Sequence, residues 1–122
     1  MGCSRLYIVQ KSDCESIKEQ GKRYAKVIAM FELCGCWKIR DVFTQDTDCY
    51  IYAHDGETIL VEDCYGAALK EISIDDLIKH IHKMRGEDKN YRRIPPLMGM
   101  LEGFKKDHGD PWGELAVLHC EY

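Results

Sequence analysis

The stretch "CYIYAHDGETILVEDC", residues 49 to 64, constrains the fold most. Two runs of β-forming residues flank Asp55-Gly56, a dipeptide suited to a type I′ turn, so the expected unit is a hairpin and with it an antiparallel sheet. Such a turn sets the register. Cys49 then opposes Glu62 and is only diagonal to Cys64, with β-carbons about 7 Å apart where a disulfide needs about 4 Å, so no bridge is expected there. In the same register Tyr50, Tyr52, His54, Glu57, Ile59 and Val61 share one face, and Thr58, Leu60 and Glu62 share the other.

Other elements follow from local pattern. "RLYIVQ" at 5 to 10 reads as a first strand. Ser12 and Glu15 make a capping box, and Cys14, Ile17, Gly21, Tyr24, Ile28 and Phe31 recur at spacings of three and four. The pattern predicts a helix from about 13 to 33 that stops at Gly35, although "YAKVIAMF" within it also admits a strand. "CWKIRDVF" (36 to 43) joins the runs at 49 to 53 and 58 to 64 as a three-stranded meander.

Ser73 and Asp76 box in a second helix, whose stripe is Ile74, Leu77, Ile78, Ile81 and Met84 and whose stop is Gly86. Pro95-Pro96 opens a third, with Leu97, Leu101 and Phe104 on one side; Gly99 and Gly103 weaken it unless a neighbouring backbone packs against them. "GELAVLHCEY" closes the chain as a strand apolar on both faces, suited to the inside of a sheet. The order βαβββααβ predicts an α+β fold: a largely antiparallel sheet of about five strands with two to three helices packed on one face.

A chain of 122 residues is the length of one domain, 1–122, and buries roughly two-thirds of its unfolded surface. No apolar run approaches the ~20 residues that span a bilayer, and the N-terminus lacks a signal-peptide pattern, so a soluble, cytoplasmic protein is expected. Met1-Gly2-Cys3 resembles an acylation start, but Leu6 stands where that pattern wants Ser or Thr. The cysteines number seven, an odd count without an export signal, so reduced thiols are expected.

Candidate chemistry is sparse. Cys34-Gly35-Cys36 is spaced too tightly for a zinc pair, and no second pair matches it. His80 and His82 point about 200° apart on a helix and cannot share an ion. His119 and Cys120 adjoin in a strand and so face opposite ways; a Cys nucleophile would need His54 or His108 brought to it. With no nucleophile elbow, zinc-protease motif or P-loop, neither metal nor cofactor is expected.

Charge is unevenly spread. Residues 41 to 76 hold ten acids against Lys70 alone, net −9 in a chain whose total is −4. Two explanations compete: one is an ordinary solvated sheet edge, where charge discourages pairing with other chains. The functional expectation is that Asp46, Asp48, Asp55, Glu57, Glu62 and Asp63 dock on the basic surface of a larger protein, such as a nuclease or another nucleic-acid enzyme. That is an inhibitor or adaptor, like anti-defence or immunity proteins in general character, rather than an enzyme. Two alternatives stand beside it. A nucleic-acid or nucleotide-binding module would use the basic stretch 79 to 93, with Lys83, Arg85, Arg92 and Arg93 on phosphates and Tyr91 stacking on a base, although a pI near 5.7 is far from such a footprint. The other is a cryptic Cys/His enzyme. A membrane partner is not expected, and a homodimer is compatible with the pattern.

Overall fold

The computed structural model describes residues 3–11, 22–34, 38–53, 55–87, 94–107 and 115–121. The chain runs β1 (Cys3–Lys11), β2 (Arg23–Cys34), α1 (Lys38–Val42), β3 (Gln45–Asp46), β4 (Cys49–Tyr52), β5 (Ile59–Leu60), β6 (Lys70–Ile72), α2 (Ile74–Glu87), α3 (Ile94–Asp107) and β7 (Leu115–Glu121). The strands form one mixed sheet in the order β3-β6-β7-β1-β2-β4-β5, antiparallel except between β2 and β4. The α+β class and the central place of the last strand are as expected, but the strand count and order are not.

Residues 23–34 are strand, paired with β1 from Cys3↔Cys34 to Lys11↔Ala25, where a helix to residue 33 was expected. The helical spacing was a by-product of a strand apolar on both faces: Phe31 and Leu33 join the cluster under the helices while Ala25, Val27 and Met30 join the opposite one. The expected start of that helix, at 13 to 21 with its Ser12 cap, and its Gly35 stop lie outside the described residues. Residues 38–42 are helix rather than strand, because Ile39, Val42 and Phe43 fall on one helical side and pack into the cluster beneath.

The sheet curls. A bulge in the β1–β2 ladder at Ile8/Val9 leaves Ile28 unpaired, and bulges bend a strand and sharpen its twist. At the far end the chain after β5 meets the chain before β6: Glu62 bridges Ala68, and Leu69 N donates to Val61 O at 3.3 Å. One face carries Leu6, Ile8, Leu33 and Val117 against Ile39, Leu77, Ile81, Ile94, Leu97 and Leu101 of the three helices. On the enclosed face Tyr7, Val9, Leu118 and Leu69 pack against Cys49, Ile51 and Leu60 of the β4–β5 hairpin. The hairpin is therefore a cover over a second core rather than a bare sheet edge.

The expected hairpin register holds where the strands pair, at Ile51↔Leu60 and Tyr52↔Ile59. It ends there, so Glu62 opposes Ala68 instead of Cys49. The turn is not type I′, because among the described residues only Gly56 and Gly66 have positive φ, at 72° and 77°. Gly56 N donates to Ala53 O at 3.0 Å, and His54 lies outside the described residues. Ser73 caps α2 as expected, accepting from Asp76 N at 3.1 Å, but the helix runs one residue past Gly86. Among the described residues, nothing beyond the helix's own backbone lies within 4 Å of where a β-carbon would stand on Gly99 or Gly103 in α3.

Candidate functional site at the mouth of the curled sheet

The enclosed core has two different ends. At one, Lys11 Nζ lies 2.8 Å from Glu71 Oε2 and 3.2 Å from Asp48 Oδ1, and Arg23 Nε reaches Asp48 Oδ2 at 3.2 Å. Burial works against the Lys11 charge, but the hydrogen bond and attraction from Glu71, helped by Asp48, outweigh it and hold the ammonium above its ordinary pKa. Cys49 donates to Asp48 Oδ1 at 3.3 Å, and its thiol is pushed up to about 11 by burial and by that carboxylate. Ions seal this end.

The other end is open. Back along the same face of β1, Arg5 and Tyr7 line a cleft of about 250 Å³ with Leu60, Glu62, Cys64 and Cys120. Arg5 Nε bonds Glu32 Oε1 at 3.1 Å, across the β1–β2 ladder. Burial raises the Tyr7 phenol above its ordinary pKa, against the opposing hydrogen bond with Arg5, so the phenol stays protonated at neutral pH. Burial likewise pushes the Cys120 thiol up to about 11, with Asp63 and Cys64 adding to it. The Glu121 carbonyl oxygen accepts from Cys64 N at 3.0 Å and from Cys120 Sγ at 3.7 Å.

On the helix side of the same strand, His119 Nε2 lies 2.8 Å from Ser4 Oγ, a pairing of residues 115 apart that sequence reading missed. The only early sign was that β1 and β7 are both apolar strands fit to be neighbours. Phe43 stacks on the imidazole at 5.0 Å between centroids, and Glu121, which Arg40 pairs at 3.1 Å, lies two residues on. Burial lowers the His119 pKa, more than Glu121 and Asp63 raise it. A hydroxyl beside a neutral imidazole is the geometry of an activated nucleophile, yet Ser4 and His119 are only 4% and 7% exposed. The pair satisfies two buried polar groups and offers no substrate access.

The six expected acids are spread over the hairpin and both ends. Asp46 pairs with Lys70, and Asp48 with Lys11 and Arg23 at the sealed end. Asp55 folds the hairpin tip, accepting from the Thr58 hydroxyl and from the amides of Thr58 and Glu57 at 2.7 and 2.8 Å; these bonds hold its carboxyl at about 2. Asp63 folds the next turn, accepting from Tyr65 N at 2.9 Å and Ala67 N at 3.0 Å. Glu57 and Glu62 are exposed, and among the described residues their side chains make no hydrogen bond or ion pair.

Of the basic stretch, Lys83 is exposed on α2. Arg85 sits in the last turns of that helix, its side chain outside the described residues, as are Tyr91, Arg92 and Arg93. His80 and His82 are exposed on α2, and Cys34 ends β2 while Gly35 and Cys36 lie outside the described residues. His119 and Cys120 face opposite sides, as their adjacency in a strand requires. Among the described residues no three His, Cys, Asp or Glu side chains gather as metal ligands, and no helix is long and apolar enough to cross a membrane. The chain matches no family model, no curated protein and no solved structure.

Proposed function

We propose that the protein acts by contact, as an inhibitor or adaptor whose β4–β5 hairpin docks on the basic surface of a larger protein. One observation carries the reading: the large apolar residues most exposed among the described ones, Tyr52 (38%), Ile59 (38%) and Tyr65 (66%), all lie in the acidic segment. Tyr52 and Ile59 oppose each other in the ladder and so share the hairpin's outer face. Exposed tyrosine beside carboxylates is the make-up of a protein-docking surface, where aromatic rings anchor and rim charges steer. Asp46 and Asp48 are neutralised within the chain and drop out of the docking set. Glu57 and Glu62 carry the uncommitted charge, with Asp55 and Asp63 holding the two turns that present them. The same charge distribution favours a nucleic-acid enzyme as the partner class, since such a protein bears a basic surface.

The test is affinity capture from the native host, followed by association kinetics of the captured partner with the parent and with the Glu57→Lys/Glu62→Lys variant. The substitutions move the 41–76 segment from −9 to −5 while leaving both turn-forming aspartates in place. Association should slow by about tenfold at low salt, and the difference should shrink as salt rises. Equal rates for parent and variant reject the docking surface. Capture of RNA or nucleotide in place of a protein would turn attention to Lys83 and the basic stretch.

A further inference from the structure

We propose that Cys64 and Cys120 form a dithiol pair that a small-molecule disulfide closes into a Cys64–Cys120 bridge across the mouth of the cleft. The geometry comes from one carbonyl. Glu121 O accepts from the Cys64 amide at 3.0 Å and from the Cys120 thiol at 3.7 Å, so the Cys64 nitrogen and the Cys120 sulfur are no further apart than those two lengths together. Both side chains line the same cleft, and both thiols are free. Cys49, the other free cysteine whose side chain is described, is buried at the ion-sealed end and engaged with Asp48.

The two thiols differ in access, and that fixes the order of events. Cys64 is exposed, in the turn that Asp63 holds, whereas Cys120 is 6% exposed in β7. The Cys64 thiolate attacks one sulfur of the small disulfide, forming a mixed disulfide and releasing one small thiol. The Cys120 thiolate then attacks the Cys64 sulfur, the protein bridge forms, and the second small thiol leaves. Protein dithiol and one disulfide give protein disulfide and two thiols, with the two protein thiol protons passing to the departing thiols. The protein is oxidised by two electrons and the small disulfide reduced by two. Because the Cys120 thiol stands at about 11, the second step is slow at neutral pH and quickens as that thiol ionises.

The test exposes reduced full-length protein to oxidised glutathione and follows the products by peptide mapping and mass spectrometry. The parent should yield a peptide pair joined through Cys64 and Cys120, with a transient glutathione adduct on Cys64. Bridge closure from that adduct should accelerate about tenfold per pH unit below the Cys120 value. Cys120→Ala should stop at the Cys64 adduct, and Cys120→Ser should do the same if alanine disturbs the fold by circular dichroism. Cys64→Ser should leave Cys120 unmodified. A parent that keeps its Cys64 adduct with Cys120 free, pairs Cys64 with a different cysteine, or does not react at either position overturns the proposal.

Discussion

Replacing Ile51 by alanine asks whether the hairpin is a cover over a core or a solvated edge. Ile51 is fully buried, packed in the cluster with Tyr7, Val9, Leu69 and Leu118, whereas Ile59, next along in the opposing strand, is 38% exposed on the outer face. Both are isoleucines in one ladder that pairs only Ile51↔Leu60 and Tyr52↔Ile59, so strand propensity is nearly the same for the two. Truncating a fully buried isoleucine costs about 2–5 kcal/mol in transfer and cavity terms, and truncating a half-exposed one costs about 1 kcal/mol or less. At about 3–5 °C per kcal/mol for a domain this size, Ile51→Ala should lower Tm by on the order of 10 °C and Ile59→Ala by a few degrees at most. Thermal unfolding followed by circular dichroism, with urea unfolding beside it, reads the difference. Two variants within about 0.5 kcal/mol of each other would refute the curled sheet and return the hairpin to the surface.

Two further outcomes follow from helix geometry and a buried ring. Among the described residues, Gly99→Ala and Gly103→Ala meet nothing beyond the helix's own backbone within 4 Å at the new β-carbon, so each should stabilise α3 by about 0.5–1 kcal/mol in urea unfolding; a loss would mean that something packs there. His119 has a folded pKa below its ordinary 6.5, so the unfolded chain binds more protons just under that value. The stability carried by the neutral ring is fully present above pH 6.5 and is lost as pH falls toward the folded pKa. Between pH 7.5 and 5.5 the parent should therefore lose more stability than His119→Gln, with the exposed His80 and His82 common to both; an equal loss would contradict the burial of the ring.

What the sequence made legible was local. The second helix could be read because Ser73, Asp76 and the Ile74–Leu77–Ile78–Ile81 stripe all act within a few residues, and the hairpin register because a short turn fixes it. The third helix was legible from Pro95-Pro96 for the same reason. Residues 23–34 were misread because a strand with apolar residues on both faces produces three-and-four spacings without any helix, and it is pairing with the preceding strand β1 that decides the matter. Residues 38–42 were misread in the opposite sense: Ile39, Val42 and Phe43 carry β-forming side chains at helical spacing, and spacing won.

The cleft was beyond local reading altogether. It joins Arg5 and Tyr7 to Leu60, Glu62, Cys64 and Cys120, which meet where the sheet curls round and the chain at Glu62 bridges Ala68. The acidic excess was visible as a sum, but a sum does not distinguish committed charge from available charge. Asp46, Asp48, Asp55 and Asp63 each hold a donor from their own chain, a lysine or arginine in two cases and backbone amides in the others. Asp48, Asp55 and Asp63 seal one end of the enclosed core and fold the turns around the hairpin, while Asp46 pairs across the β3–β6 ladder. Of the six acids expected to dock, Glu57 and Glu62 are left to carry the proposed steering, and two substitutions test it.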